Sequence, residues 1–263
     1  MPEGDTLHRT ARGLAPHLVG KAVTAARVRA GGPQVQRIVG ATITSVEAVG
    51  KNLLIRFDND LELRTHLRMN GSWHRYRPGE RWRRPPAAAR LVLEVPGAVA
   101  VCFDAPVVEL FEARAESIHP TIARLGPDLL DPDWGEGHAA EARSRLRDPA
   151  RATLTISEAL LDQRALAGIG NIWRNETLFH ERVEPWTPVA DLDDATLDRL
   201  IGTARRLLRA SVDVPSGRSP MWVYRRTGRP CRRCRTLIRS APLTTTVPRT
   251  TFWCPSCQLK PAA

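Results

Sequence analysis

The chain has 263 residues, with 39 Lys plus Arg against 28 Asp plus Glu, a formal net charge of +11 and a pI near 10.6. That length is expected to bury a real core and to make two domains plus a small extra element. The cationic excess points to a polyanionic partner, and no apolar run approaches the ~20 residues that span a bilayer, so neither a membrane partner nor a membrane span is expected.

The chain starts Met1-Pro2-Glu3-Gly4-Asp5-Thr6, with no secretory leader expected ahead of it. A small second residue favours removal of the initiator methionine, which would leave Pro2 with a free secondary amine. The ordinary reading is a frayed end. Against that, Leu7, Ala11, Leu14, Ala15 and Leu18 have helical spacing, and Asp5 or Thr6 is the expected cap, so the terminus is tied to a helix.

From Lys21 to about Phe111 the pattern is short and β-like. Strands are expected at 22–28, 38–49, 52–57, 61–67, 89–95 and 99–103, broken by Gly31-Gly32-Pro33, Asp58-Asn59-Asp60 and Pro96-Gly97. Consecutive strands without helices between them predict an antiparallel sandwich or a flattened barrel. The arginine-rich stretch from Trp73 to Pro86, with Trp82, reads either as a basic DNA-facing loop or as a solvated crossover. Lys51 sits in a Gly50-Lys51-Asn52 turn, where a solvated charge is the plain reading. His66, Arg68, Met69 and Asn70 come together where a strand ends in a polar turn. Met69 either caps the core or fills an irregular gap, and His66 is either packed or phosphate-facing.

After Glu112 the chain leaves the sheet, and helices are expected near 135–148, 157–166, 171–179 and 193–211, the last capped by Asp193-Asp194. Gly168-Ile169-Gly170-Asn171 lies between two helices and not after a strand, which rejects a dinucleotide fingerprint. It reads either as a phosphate-holding helix start with Asn171 as cap or direct donor, or as a packing corner. Pro215 to Pro220 is a loop that covers a ligand or links domains.

At the end, Cys231-Arg-Arg-Cys234 and Cys254-Pro-Ser-Cys257 are two C-x-x-C knuckles on an expected β-hairpin. Their spacing suits a tetrahedral zinc site, with two disulfides or chance as alternatives. Four thiolates leave no open position for a catalytic water, so the metal is expected to be structural, and no organic cofactor is expected.

Taken together, Pro2-Glu3-Gly4, Gly50-Lys51, Gly168-Ile169-Gly170-Asn171-Ile172 and the four-cysteine hairpin resemble the formamidopyrimidine-DNA glycosylase and endonuclease VIII family, along the whole chain and in order. The likeness is to its actinobacterial endonuclease VIII-like branch, through the opening residues and Thr65-His66-Leu67-Arg68-Met69. The resemblance implies an α+β fold. It comprises an antiparallel β-sandwich with an N-terminal helix (1–120), a helix-two-turn-helix domain (121–220) and a zinc-finger hairpin (221–260). It implies a bifunctional DNA glycosylase/AP lyase acting on double-stranded DNA that contains oxidised bases, pyrimidines first, or abasic sites. Pro2 would form a Schiff base, followed by β- and δ-elimination, with Glu3 and Lys51 also catalytic. His66, Arg68, Met69, Asn171 and Arg249 would contact DNA, and Cys231, Cys234, Cys254 and Cys257 would hold one structural zinc.

The expected setting is cytoplasmic and nucleoid-associated, as a monomer. An oxidised-purine glycosylase and an AP-site or damaged-DNA binding protein with little glycosylase activity are the alternatives. The sequence also departs from the family's patterns. Asp104 to Phe111 replaces an Arg-Arg-Phe-Gly wedge, Leu67-Arg68-Met69 replaces Gln-Leu-Tyr, and Thr6 replaces the usual second acidic residue.

Overall fold

The computed structural model describes residues 2–214, 221–243 and 248–259, and the chain divides into two compact units, Met1–Arg124 and Leu125–Ala263. The Pro215 to Pro220 loop lies outside the described residues. Among these residues no helix is long and apolar enough to cross a membrane.

The first unit opens with α1 (Gly4–Leu18), whose Leu7, Ala11, Leu14 and Leu18 enter the core at the predicted helical spacing. The cap differs from expectation. Glu3 is the N-cap residue, without a side-chain cap bond, and Asp5 and Thr6 lie inside the helix.

Eight strands follow: β1 (Ala25–Val28), β2 (Ile43–Val49), β3 (Asn52–Phe57), β4 (Leu61–His66), β5 (Ser72–Tyr76), β6 (Ala89–Val95), β7 (Ala98–Phe103) and β8 (Val107–Glu112). They form two four-stranded antiparallel sheets, ordered β1-β6-β7-β5 and β2-β3-β4-β8. Alternation places Leu53, Ile55, Phe57, Leu61 and Leu63 of one sheet in the same core as Leu91, Leu93, Ala98, Ala100 and Cys102 of the other. The expected segment 38–49 splits: Val35–Ile38 is a 3-10 turn, Gly40 takes a φ of 88°, and only then does β2 begin.

On the outer face of the second sheet, the pairings Asn52↔His66 and Arg56↔Glu62 form polar rungs, with Arg64 between them opposite Leu54. Arg64 donates from Nε to Asn52 Oδ1 at 2.9 Å and pairs with Glu109 on β8. Arg56 reaches Glu47, Glu62 at 3.1 Å and Glu116 at 3.0 Å, so it ties β2, β3 and β4 to the 3-10 segment Ala113–Ile118 that leaves the sheet. Glu62 has no exposure. Burial and the negative charge of Glu116, opposed by Arg56, push its carboxyl up to about 7.

The second unit contains α2 (Glu136–Leu146), the short α3 (Ile156–Ala159), α4 (Asn171–His180), α5 (Asp194–Asp213) and a hairpin of β9 (Arg239–Leu243) and β10 (Arg249–Trp253). Asp193 caps α5 as expected, accepting from Thr196 N at 2.7 Å. Leu197, Leu200, Ile201, Ala204 and Leu208 of α5 share a core with Leu166, Ile169, Trp173 and Leu178. A separate cluster joins Phe179 of α4 to Val223, Cys231, Ile238 and Cys254. The hairpin therefore packs on a helix and does not rest on cross-linking alone.

Candidate active site and metal-binding hairpin

In the first unit, Pro2 is half-exposed and Glu3 is completely buried beside it. The Glu3 carbonyl accepts from Thr6 N at 3.0 Å and Leu7 N at 3.2 Å, so the start of α1 fixes the backbone of the pair. Ser, Thr, Asp and Asn are the side chains that ordinarily cap a helix from this position, and the longer Glu3 side chain makes no cap bond. Asp5 lies one position before Thr6, inside the helix. Its carboxylate is buried and salt-bridged to Arg9 at 3.0 Å.

Lys51 is half-buried in the β2–β3 turn, which Gly50 makes with a φ of 58°. Its neighbour Asn52 pairs with His66, the last residue of β4. The Arg68 amide donates to His66 Nδ1 at 3.1 Å. Burial, then the charges of Arg64, Arg68 and Lys51, push the imidazole down to about 4. His66 is thus neutral at pH 7, and because Nδ1 accepts a bond, Nε2 carries the proton. The ring is half-buried and retains one N–H donor.

Beyond it Arg68, Met69 and Asn70 are exposed on a turn, with Met69 at 53%. Arg68 has a φ of 49°. Gly71 N closes the turn onto the Leu67 carbonyl at 2.9 Å. A Cβ on Gly71 would lie 2.6 Å from that oxygen, so only glycine fits.

Two expectations are corrected here. Trp73 is not on a DNA-facing loop. It is buried at 8% exposure on β5, and its indole N–H donates to Thr65 Oγ1 at 3.0 Å. Asp104 to Phe111 is a short inter-sheet turn followed by β8, an element missing from the expected strands.

In the second unit, the glycine turn is held by Gln163, a residue that sequence reasoning missed. Its amide accepts from Gly168 N at 3.1 Å and donates to the Ile169 carbonyl at 3.0 Å. Gly168 has a φ of 92°, and a Cβ there would meet Asp128 Oδ1 at 3.0 Å. Gly170 is the N-cap of α4, so Asn171 is the first helical residue and not the cap.

Asn171 donates from Nδ2 to the Thr250 carbonyl on β10 at 3.1 Å, and its Oδ1 accepts from Arg174 at 2.7 Å. Arg174, with no exposure, also donates to Thr251 Oγ1 at 3.0 Å and the Thr250 carbonyl at 3.3 Å. Asn175 Oδ1 accepts from Phe252 N at 2.8 Å. Glu176 accepts from the backbone of Trp222, Val223 and Tyr224 at 2.8, 3.0 and 2.9 Å. One polar edge of α4 thus grips both the hairpin strand and the segment before the first knuckle. Arg249, half-buried, begins β10 next to Thr250.

The four knuckle cysteines bring their sulfurs within 4.8 Å of one another, with Cys231–Cys257 at 4.0 Å and Cys234–Cys254 at 3.4 Å. A tetrahedral ZnS4 centre with Zn–S near ~2.3 Å has sulfur–sulfur edges of about 3.8 Å, which these distances bracket. The Arg233 amide donates to Cys231 Sγ at 3.4 Å, and Gln258 links Cys254 N to the Val183 carbonyl at 3.0 Å on each side. The cluster fits a single metal ion. Cys102 takes no part, since it is completely buried and burial pushes its thiol up.

Residues 1–106 match the formamidopyrimidine-DNA glycosylase N-terminal domain and residues 125–220 its H2TH domain. The chain is 40% identical to the probable endonuclease 8 2 of Streptomyces coelicolor, covering 100% of this chain and 95% of that protein. It is 37% identical to the DNA-(apurinic or apyrimidinic site) lyase Nei2 of Mycolicibacterium smegmatis, covering 98% and 99%. In fold it is similar to the Lactococcus lactis formamidopyrimidine-DNA glycosylase solved with AP-site DNA, with a TM-score of 0.83 at 22% identity over 98% of this chain and 100% of that one. Two matched domains in order and relatives aligned along nearly the full length establish that the chain belongs to the formamidopyrimidine-DNA glycosylase and endonuclease VIII family, as an enzyme of its bifunctional DNA glycosylase/AP lyase class.

Proposed function

We propose that this enzyme excises oxidised pyrimidines from double-stranded DNA and cleaves the resulting abasic strand, with the amine of Pro2 as nucleophile. The observation that carries the reading is the fully buried Glu3, beside a half-exposed Pro2 at a helix start whose geometry does not use the glutamate as a cap. The amine forms a bond to C1′ as the bond to the damaged base breaks, leaving an iminium. A free α-amine, with an ordinary pKa of ~7.7–8.0, retains a reactive neutral fraction near pH 7 where a free lysine does not. Glu3 transfers protons at the sugar during ring opening and elimination. Loss of a proton from C2′ expels the 3′ phosphate, and a second elimination expels the 5′ phosphate.

Lys51 supplies positive charge at the reacting nucleotide, and His66 offers an Nε2–H donor together with the Arg68 guanidinium. Met69 enters the space left by the extruded nucleotide. Asn171 and Arg249 hold backbone phosphates, with zinc on Cys231, Cys234, Cys254 and Cys257 keeping the hairpin rigid. Zinc supplies no chemistry to the reaction, because every ligand position is taken by thiolate. The preference for pyrimidines rests on the likeness to endonuclease VIII proteins, and on the short Asp104–Pro106 connection, which lacks an Arg-Phe wedge. The enzyme works as a monomer on the chromosome, in a compartment reducing enough to keep four thiolates on a metal.

Borohydride trapping on duplexes carrying thymine glycol, 5-hydroxyuracil, 8-oxoguanine or an abasic site tests the reading. Covalent complexes are expected with the pyrimidine lesions and the abasic site, and none after acetylation of the Pro2 amine. An active enzyme that retains Met1 by mass spectrometry, or efficient trapping confined to 8-oxoguanine, overturns it.

A further inference from the structure

The arginine-rich strap between β5 and β6, residues 77–88, is neither free nor a plain crossover. Trp82 lies on the outer face of the first sheet, stacked on Tyr76 at 6.2 Å and edge-on to Phe103 at 5.8 Å. The Arg83 amide donates to the Tyr76 hydroxyl at 3.0 Å, and the same oxygen lies 2.9 Å from His74 Nδ1. Tyr76 is 1% exposed, so this anchor is built into the sheet and fixes the strap immediately before Arg84.

Arg84 then reaches across three segments. Its Nη1 donates to the Asn70 carbonyl at 3.3 Å and to Ser72 Oγ at 3.0 Å, its Nη2 pairs with Asp104, and the guanidinium sits 5.8 Å from the Phe103 ring centre. Asn70 belongs to the turn that carries Met69, and Asp104 begins the turn that joins the two sheets. Each turn contains a non-glycine residue in the left-handed region, Arg68 and Asp104, both with φ 49°. Such residues persist only where their surroundings hold them.

We propose that Arg84 is a positioning residue. From the strap, one guanidinium fork locks the Met69 turn against the Asp104 turn and sets where Met69 stands before DNA arrives. The proposal rests on the reading above in which Met69 enters the duplex. A flexible thioether on a strained turn would otherwise have to be ordered during binding, which weakens both affinity and alignment. The planar fork matters, because an ammonium is a point donor and cannot serve the Asn70 carbonyl, Ser72 and Asp104 in this geometry.

The test compares Arg84→Ala, Arg84→Lys and Met69→Ala in the full-length protein. Borohydride trapping is measured on an abasic site in duplex and in single-stranded DNA, since only the duplex has a void to fill. Arg84→Ala is expected to slow duplex trapping about tenfold, the effect of losing one charge-assisted hydrogen bond that aligns a reacting segment. It leaves single-strand trapping unchanged, is not rescued by Arg84→Lys, and adds nothing in a Met69→Ala background. Equal losses on both substrates, no loss on duplex, or full rescue by lysine overturns the proposal; the last would make Arg84 a phosphate contact. Fluorescence of 2-aminopurine beside the abasic site reports insertion without any covalent step. Arg84→Ala must reduce that signal as Met69→Ala does, and this result stands whatever becomes of the Pro2 chemistry.

Discussion

Glu3 and Asp5 are both acidic, both buried and two positions apart at the start of α1, yet the helix gives them different work. Asp5 lies in the first turn, where the helix dipole favours a negative charge, and it meets Arg9 one turn on at 3.0 Å. These contacts favour a structural role for Asp5. Asp5→Asn should therefore lower stability by about 1 kcal/mol while leaving the ratio of β- to δ-elimination products unchanged. Thermal melting and gel analysis of the cleaved ends check both halves. A changed product ratio would show that Asp5 serves as the acidic helper missing at Thr6. His66 gives a comparable lesson at the same scale. Its residue type allowed either a packed or a phosphate-facing ring, and burial, reinforced by the neighbouring Arg64, Arg68 and Lys51 charges, keeps that ring neutral with its proton on Nε2.

At the scale of elements, the Arg56–Glu62 rung makes the first unit sensitive to pH. Glu62 holds its proton more tightly in the fold, near 7, than at its ordinary value of 4.5. Its protonated contribution is therefore fully present below about 4.5 and is lost as pH rises through about 7. A proton on Glu62 also allows a hydrogen bond to Glu116 on the segment that leaves the sheet. Glu62→Gln should accordingly melt higher than the parent at pH 8 and close to it at pH 5. A lower melting point at pH 8 would mean that ionised Glu62 is a net stabilising partner for Arg56.

The hairpin is the opposite case, a small element held from two sides. Chelating the metal should free the knuckles and change the fluorescence of Trp253, which packs edge-on against Trp186 at 4.6 Å. It should leave most far-UV helical signal intact, since the α5 core does not include the cysteines. Asn171→Ala should speed that metal loss, because it removes an acceptor from the buried Arg174 that clamps β10. Chelation that melted the helices in the same step would refute this separation.

Across the whole molecule, the parts legible in the sequence are those whose cause is local. The limits of β3 and β6 follow from short apolar runs bounded by turn residues, and the two C-x-x-C knuckles mark the four cysteines that the fold brings together. β5 is hidden because its arginine-rich flank masks the buried Trp73 and Tyr76, and β8 because Val107-Val108-Glu109-Leu110-Phe111-Glu112 does not alternate. Arg84, Arg174 and Glu176 escaped for another reason. Each acts on a partner that only folding brings near, as Arg174 does on Thr250 and Thr251. The same distinction governs the charge.

Of the 39 Lys and Arg, Arg56, Arg64, Arg143, Arg147 and Arg151 pair with carboxylates of this chain, so the gross number of cations does not measure the phosphate contacts. The affinity for duplex DNA should therefore fall with salt as for about 6–10 phosphate contacts, a slope of roughly −5 to −9 in log K against log salt. Fluorescence anisotropy between low and moderate potassium chloride measures it. Arg249→Ala should make that slope shallower by about 1 and weaken damaged and undamaged DNA alike, as loss of one phosphate contact does. Asn171→Ala, a neutral change, should weaken binding with the slope unchanged. An Arg249→Ala enzyme with the parental slope would remove Arg249 from the DNA interface and leave the rigid hairpin without its proposed purpose.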